Sequence, residues 1–224
     1  MPIILLLTAI LPALLFQIIG ALFYFVLFPT GAVAQSIYTA TKILIFVWPI
    51  LWYKQIKTPF TLRPTLAAIR YGLVSGVVGA GAILLTFVLF KQYWLQFSPE
   101  LIEKVSQLGI SSVPIFLLFA TFLSIFHSLL EEYYWRWFVF TGLKQRFSPI
   151  VAGIIGSIAF AGHHYIILSQ FLPLPITLLL GTFVGVGGAW WCYSFHKTGT
   201  LFGNWMSHAL IDAAIMVVGF VLMF

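Results

Sequence analysis

Among the ionisable side chains inside long apolar stretches of this sequence, six could together move protons and activate water. They are three acids, one guanidinium and two imidazoles: Glu131, Glu132, Asp212, Arg136, His164 and His208. Each charge at mid-membrane costs about 2.5–3.5 kcal/mol on insertion scales, so such groups usually face the interior of a bundle and mark a functional site. The set therefore predicts a polar site that is enclosed by apolar helices.

The spacing of these residues predicts that they share helix faces. Residues four apart lie on the same side of a helix, and this spacing relates three pairs: Glu132 and Arg136, Phe160 and His164, and His208 and Asp212. The pairs fall on three different apolar segments. Polar faces of this kind must meet to be satisfied, so we expect one shared, water-bearing pocket.

Several other hydrolytic chemistries are excluded by missing motifs. The chain has no H-E-x-x-H zinc motif and no G-x-S-x-G elbow, and Ser75 in GLVSG is misplaced for a rhomboid-like serine site. One Asp inside the apolar segments is too few for an aspartyl dyad. The single Cys192 cannot form an intramolecular disulfide or a site with several cysteines. The remaining possibility is hydrolysis in which Glu and His side chains act on a water molecule.

Three motifs in chain order carry a family resemblance. Residues 131–136 read E-E-x-x-x-R, residues 160–164 read F-x-x-x-H, and residues 208–212 read H-x-x-x-D. In this order, on three of the apolar segments, they resemble the CPBP (also called ABI) family of intramembrane glutamic-type proteases. That family includes type II CAAX prenyl endopeptidases and bacteriocin-processing or immunity proteins. The resemblance covers about residues 113–215.

The resemblance implies four catalytic residues. Glu131 would be the general base that deprotonates water, and His164 would hold that water. His208 and Asp212 would stabilise the oxyanion. Asp212 departs from the Asn of the prenyl endopeptidases, and a carboxylate donates no hydrogen bond unless it is protonated. Asp212 could instead fix the tautomer of His208 or ligate a metal.

The resemblance also implies supporting residues and leaves the question of a metal open. Arg136 would pair with Glu132, and Phe160 would support the site. We favour a reaction without a cofactor, because no recognised zinc spacing occurs. The alternative is one divalent metal, zinc, with three ligands: His164, His208 and Glu131. His163 is expected to point away from His164 and to serve in packing.

The composition requires a membrane protein. Hydrophobic residues make up 62% of the 224 residues and charged residues 7%, whereas soluble domains are near 25% charged. We expect an all-α, polytopic bundle of seven spanning helices, or eight if the first 60 residues divide differently. The seven predicted spans are 3–28, 34–53, 66–90, 113–139, 149–168, 174–195 and 200–223.

Three smaller features complete the predicted fold. Residues 98–109 predict a short interfacial helix, with Ser98 as its N-cap and Gly109 as its stop. Small residues four apart, at Gly72/Gly76 and Gly181/Gly185, predict close helix packing. We also expect one integrated domain in two parts: residues 1–112 supply N-terminal helices, and residues 113–224 supply the family-like helices.

Charge and termini indicate the protein's surroundings. The formal net charge is +6, with Lys and Arg gathered in alternate loops, which places the N-terminus in the cytoplasm. The first segment has no basic region before it, so we expect it to stay as a helix. We predict a bacterial plasma membrane and a membrane-associated peptide or protein substrate, with no nucleic acid. The oligomeric state stays open.

Two other functions are compatible with the sequence. One is a non-catalytic membrane protein, such as an immunity protein or scaffold with the same fold. The other is a proton-coupled transporter, in which buried Glu and His form a relay. A transporter would usually show paired halves with broken helices, and the sequence shows none.

Overall fold

The computed structural model describes residues 3–28 and 32–224, and the described chain is helical without a strand. Long apolar runs favour helices here because a helix pairs its backbone groups internally, which a lipid environment requires. The main helices are α1 (Leu6–Leu27), α2 (Ala32–Leu51), α3 (Leu66–Leu89), α4 (Lys91–Gln107), α5 (Val113–Lys144), α6 (Pro149–Leu168), α7 (Leu174–Thr198) and α8 (Phe202–Met223).

The predicted all-α membrane fold is confirmed. Within the described residues, six helices are long and apolar enough to cross a membrane: α1, α3, α5, α6, α7 and α8. The second predicted span, 34–53, corresponds to α2, whose apolar part is the shorter stretch Gln35–Leu51. The protein is therefore an integral membrane protein.

The start of the predicted interfacial helix was wrong. Helix α4 begins at Lys91, directly after α3, rather than at Ser98. Ser98 lies inside α4, where its hydroxyl donates to the carbonyl oxygen of Leu95 at 3.0 Å, so it does not cap the helix. The predicted stop was right: Gly109 follows the helix end with φ +83°, a conformation that glycine adopts without steric cost.

The helices divide into two compact units. Unit 1 comprises Met1–Phe60 and Glu132–Gly199, and unit 2 comprises Thr61–Glu131 and Thr200–Phe224. Helix α5 supplies its first part to unit 2 and its second part to unit 1. The predicted boundary after residue 112 separates motif-bearing helices from the rest of the chain, and it stays a prediction.

Unit 1 is built around α6, which packs against α1 and α7. Helix α6 begins at Pro149, after Ser148 has capped it by accepting from the Val151 N–H at 3.3 Å. The aromatic core of unit 1 includes the fully buried side chains of Tyr134, Phe138 and Phe160. The Tyr134 hydroxyl donates to the carbonyl oxygen of Ala13 at 2.6 Å, which ties α5 to α1.

Unit 2 is built around the contact of α3 with α8. The predicted close packing at Gly72 and Gly76 is confirmed, because Gly72 faces the backbone of Gly203 and Gly76 faces Ser207. The Ser75 hydroxyl donates to the Ser207 hydroxyl at 2.9 Å across this contact. Small side chains let the two backbones approach closely, and the hydroxyl pair fixes their register.

Candidate active site

The two neighbouring acids of α5 lie in an irregular part of that helix. The turns are wide over Phe122–His127 and over Glu132–Phe140, where the helix is π-helical. Such segments occur frequently at functional sites, because they change the direction in which side chains project. Glu131 is 2% exposed and Glu132 is fully buried. Each carboxylate therefore needs polar partners within the protein.

In unit 2, one imidazole faces two carboxylates. The Nε2 atom of His208 lies 3.8 Å from Oε2 of Glu131 and 3.7 Å from Oδ1 of Asp212. These distances exceed those of a direct hydrogen bond and are those of close ionic contacts. A single ring nitrogen therefore stands between two acids, which are supplied by α5 and by the next turn of α8.

Neighbouring contacts hold α8 in this position. The indole nitrogen of Trp205 donates to the carbonyl oxygen of Ile125 at 2.8 Å, which joins α8 to α5. One turn later, His208 is 5% exposed, and the side chain of Asp212 is 20% exposed. Among these three residues, Glu131 is thus shielded from solvent, whereas Asp212 is partly accessible to it.

In unit 1, a buried ion pair is enclosed by aromatic rings. The Nη1 atom of Arg136 lies 3.3 Å from Oε1 of Glu132. The Arg136 guanidinium also lies 4.3 Å from the ring centre of Phe160 and 4.8 Å from that of Trp191. A planar guanidinium stacks well on aromatic faces. The pair that the spacing predicted is therefore present, and the rings replace part of its lost hydration.

His164 is fixed by its own helix. Its Nδ1 atom lies 2.9 Å from the carbonyl oxygen of Phe160, and its ring packs on the Phe160 ring at 4.6 Å. A carbonyl only accepts, so Nδ1 carries the hydrogen. In the neutral ring, Nε2 is then an acceptor, which can receive a hydrogen bond or a proton.

His163 is a residue whose position the sequence reasoning missed. We expected it to point away from His164, but the two ring centres are only 4.1 Å apart. The His163 ring also lies parallel to the indole of Trp135, with the centres 5.9 Å apart and an angle of 2° between the planes. The signal available in the sequence was the pair of adjacent histidines in an apolar helix. Neighbouring helix positions point in different directions, but imidazole rings are large enough to touch from both.

Comparison with known proteins matches a little under half of the chain to one family. Residues 113–214 match the family described as type II CAAX prenyl endopeptidase Rce1-like. The resemblance inferred from the three motifs is therefore confirmed. No curated protein and no solved structure matches the chain.

The Rce1-like match covers residues of both units. Glu131, His208 and Asp212 lie together in unit 2, whereas His164 belongs to unit 1. The supporting residues Glu132, Arg136 and Phe160 are also in unit 1, in mutual contact. The single pocket that would join Glu131 with His164 stays a prediction.

The zinc alternative can be compared with the donor atoms of each unit. In unit 2, Glu131 and His208 present ligand atoms 3.8 Å apart, with Asp212 as a further carboxylate beside the same ring. In unit 1, the Nε2 atom of His164 is the unprotonated nitrogen of the neutral ring, which is the form that binds a metal. The residues are of the types that bind zinc, so the alternative also stays a prediction.

Proposed function

We propose that this protein is an intramembrane endopeptidase that hydrolyses a peptide bond of a membrane-associated peptide or protein. The main support is the Glu131 carboxylate, which is 2% exposed and lies 3.8 Å from Nε2 of His208. Both residues lie in helices of membrane-spanning length, within the segment that matches the Rce1-like proteases. An acid so placed suits proton transfer away from bulk water.

In the proposed reaction, Glu131 takes a proton from water as the water oxygen attacks the carbonyl carbon. His164 orients that water through Nε2, which accepts one of its hydrogens. His208 donates to the developing oxyanion, and a donor of this kind contributes about 10²–10³ in rate. The C–N bond then breaks, and Glu131 returns its proton to the leaving amine.

Asp212 acts on His208 in this scheme. Its carboxylate lies 3.7 Å from the same Nε2 atom that faces Glu131. A negative charge there attracts the N–H of the imidazole and holds it in position, which makes the ring a fixed donor to an oxyanion. Asp212 would thus support the donor role of His208 rather than donate itself.

An apolar cavity in unit 2 supports a substrate with a large apolar part. The cavity has a volume of about 720 Å³ between α5 and α8, and its lining includes Ala120, Ser124, Ala209 and Ala213. Ala209 and Ala213 directly follow His208 and Asp212 in α8. Two processing reactions fit such a substrate: CAAX-type cleavage beside a prenylated cysteine, and removal of a leader from a bacteriocin-like peptide.

The proposed setting is a bacterial plasma membrane with the N-terminus in the cytoplasm. The side-chain amide of Gln145 donates to the carbonyl oxygens of Gln55 and Ile56, at 2.9 and 3.1 Å. The loop after α2 and the end of α5 therefore meet at one end of unit 1. Both carry Lys or Arg, as cytoplasmic loops do.

The experiment compares wild type with Glu131→Gln in liposomes. The probes are two quenched fluorescent peptides, one ending in a farnesylated cysteine plus three residues and one with an unprenylated apolar anchor. Wild type should cleave at least one of them, and Glu131→Gln should lose at least a hundredfold in kcat/KM. Glu103→Gln, the same substitution at an exposed residue of α4, should keep full activity.

Equal cleavage by wild type and Glu131→Gln would refute the role of Glu131. If neither probe is cut, membrane peptides from cells with wild type and with Glu131→Gln are compared by mass spectrometry. Identical peptide profiles would then favour the non-catalytic immunity or scaffold function.

A chelator added to the active wild-type protein tests the cofactor. We propose a reaction without a metal, so activity should persist after dialysis against the chelator. Loss of activity that added zinc restores would establish the zinc alternative instead.

A further inference from the structure

Three basic side chains converge at one end of unit 1. We call Lys144, His196 and Lys197 the basic cluster. The Nζ atom of Lys144 lies 3.5 Å from Nδ1 of His196, which joins the last residue of α5 to the end of α7. The charges of both Lys144 and Lys197 act on the His196 ring. The cluster thus concentrates positive charge instead of spreading it over separate loops.

No acid balances the basic cluster within the protein as described. The whole chain has five acids, and the three in the apolar helices contact other groups: Glu132 contacts Arg136, while Glu131 and Asp212 contact His208. Among the described residues, no carboxylate forms an ion pair with Lys144, His196 or Lys197. Within that part of the chain, the positive charge of the cluster therefore stays available to an anion from outside the protein.

The position of the cluster is that of a membrane edge. It lies where α5 and α7 end, and α7 is terminated by Gly199 with φ +68°. Trp190 and Tyr193 of α7 are 40% and 45% exposed, and Trp and Tyr are enriched at membrane interfaces. The Lys197 ammonium lies 5.5 Å from the ring centre of Tyr193. The free donors of the cluster thus lie beside aromatic residues typical of the headgroup region.

We infer that the basic cluster binds the phosphate of an anionic phospholipid headgroup. His196 can accept from Lys144 through Nδ1, which leaves its Nε2–H, the other Lys144 hydrogens and the Lys197 ammonium as donors. The helix dipole favours cations near helix C-termini in general. That effect would account for each basic residue separately, but it does not account for the meeting of basic residues from two helices. A lipid, unlike free phosphate, also fits the neighbouring aromatic side chains.

The test measures lipid binding by native mass spectrometry of the full chain in detergent. The probes are dioleoyl phosphatidylglycerol and dioleoyl phosphatidylcholine. Wild type should prefer the anionic lipid, and Lys144→Gln/Lys197→Gln should bind it on the order of twentyfold more weakly, because each Lys near an anionic surface contributes roughly fivefold in affinity. The matched control is Arg63→Gln/Arg70→Gln, which removes two exposed charges of unit 2 and should change the affinity less than threefold.

Three outcomes would overturn the inference. Equal weakening by the two double variants would show a diffuse charge effect, and equal binding of both lipids would show no preference for an anion. Displacement of the lipid by an equal concentration of inorganic phosphate would show a site for free anions. If the double variant does not fold, Lys197→Gln alone, at an exposed position, should still weaken binding about fivefold.

Discussion

The Nδ1 atom of His164 lies 2.9 Å from the carbonyl oxygen of Phe160, four residues earlier in α6. The F-x-x-x-H spacing therefore does more than place two side chains on one face. It fixes the hydrogen of the neutral imidazole on Nδ1 and leaves Nε2 as an acceptor. The Phe160 ring meanwhile packs on both His164 and Arg136. Phe160 thus orients His164, the residue proposed to bind the water, and also packs against the buried ion pair.

We predict that neutral His164 is the Nδ1–H tautomer. The measurement is ¹⁵N NMR of the protein labelled at histidine, in which Nδ1 and Nε2 have distinct shifts in each tautomer. Comparison with His164→Gln assigns the signal among the five histidines. Observation of the Nε2–H tautomer at neutral pH would contradict the hydrogen bond to Phe160. It would also remove the acceptor that we assign to water.

We predict that Glu132→Gln destabilises the protein by about 3–5 kcal/mol, because removal of one member of a buried ion pair leaves the other charge without compensation. Arg136 is 1% exposed and would lose its charged partner while it keeps its ring contacts with Phe160 and Trp191. The free energy of unfolding in detergent measures the loss. Glu103→Gln, at an exposed acid, should change stability by less than about 0.5 kcal/mol. An equally small effect of Glu132→Gln would show that the pair is dispensable.

Much of the fold follows from apolar length alone. Six of the seven predicted spans are helices of spanning length, and the seventh corresponds to α2, with the apolar stretch Gln35–Leu51. The start of α4 could not be predicted in the same way. Ser98 and Pro99 form a good N-terminal signal, but the chain turns at Phe90 and begins a helix at once, so tertiary context overrides the local pattern.

The site was predictable in its residue types and less so in its geometry. Four-residue spacing predicted the contacts of Glu132 with Arg136 and of His208 with Asp212. Regular helix geometry does not predict the wide turns of α5 over Glu132–Phe140, which change where the acids project. Nor does it predict the contact of the His163 and His164 rings, which depends on side-chain rotamers.

We predict that Gly72→Ala destabilises unit 2 by about 1–3 kcal/mol, the usual cost of overpacking. The added methyl group would overlap the carbonyl oxygen of Gly203, and backbone atoms cannot move aside as a flexible side chain can. Gly81→Ala is the matched control in the same helix, because, beyond the adjoining backbone of that helix, no atom of the described residues lies within 4 Å of the added methyl group. Thermal unfolding in detergent measures both variants. Equal midpoints for the two would contradict the close approach of α3 and α8.

We predict that Asp212→Asn keeps activity within about tenfold, whereas Asp212→Leu loses about 10²-fold or more in kcat/KM. The Asp212 carboxylate lies 3.7 Å from Nε2 of His208, and its charge holds that ring in position as a donor. An amide loses that charge but can donate to the oxyanion itself, while leucine, of similar size, can do neither. The kinetics are measured on the better of the two peptide probes, with thermal unfolding as the check on folding. Equal activity of both variants would place Asp212 outside the catalytic machinery. If Asp212→Asn lowered kcat/KM more than Glu131→Gln, the Asp212 carboxylate would instead be the base. Only the group that removes the proton from water should depend so strongly on its negative charge.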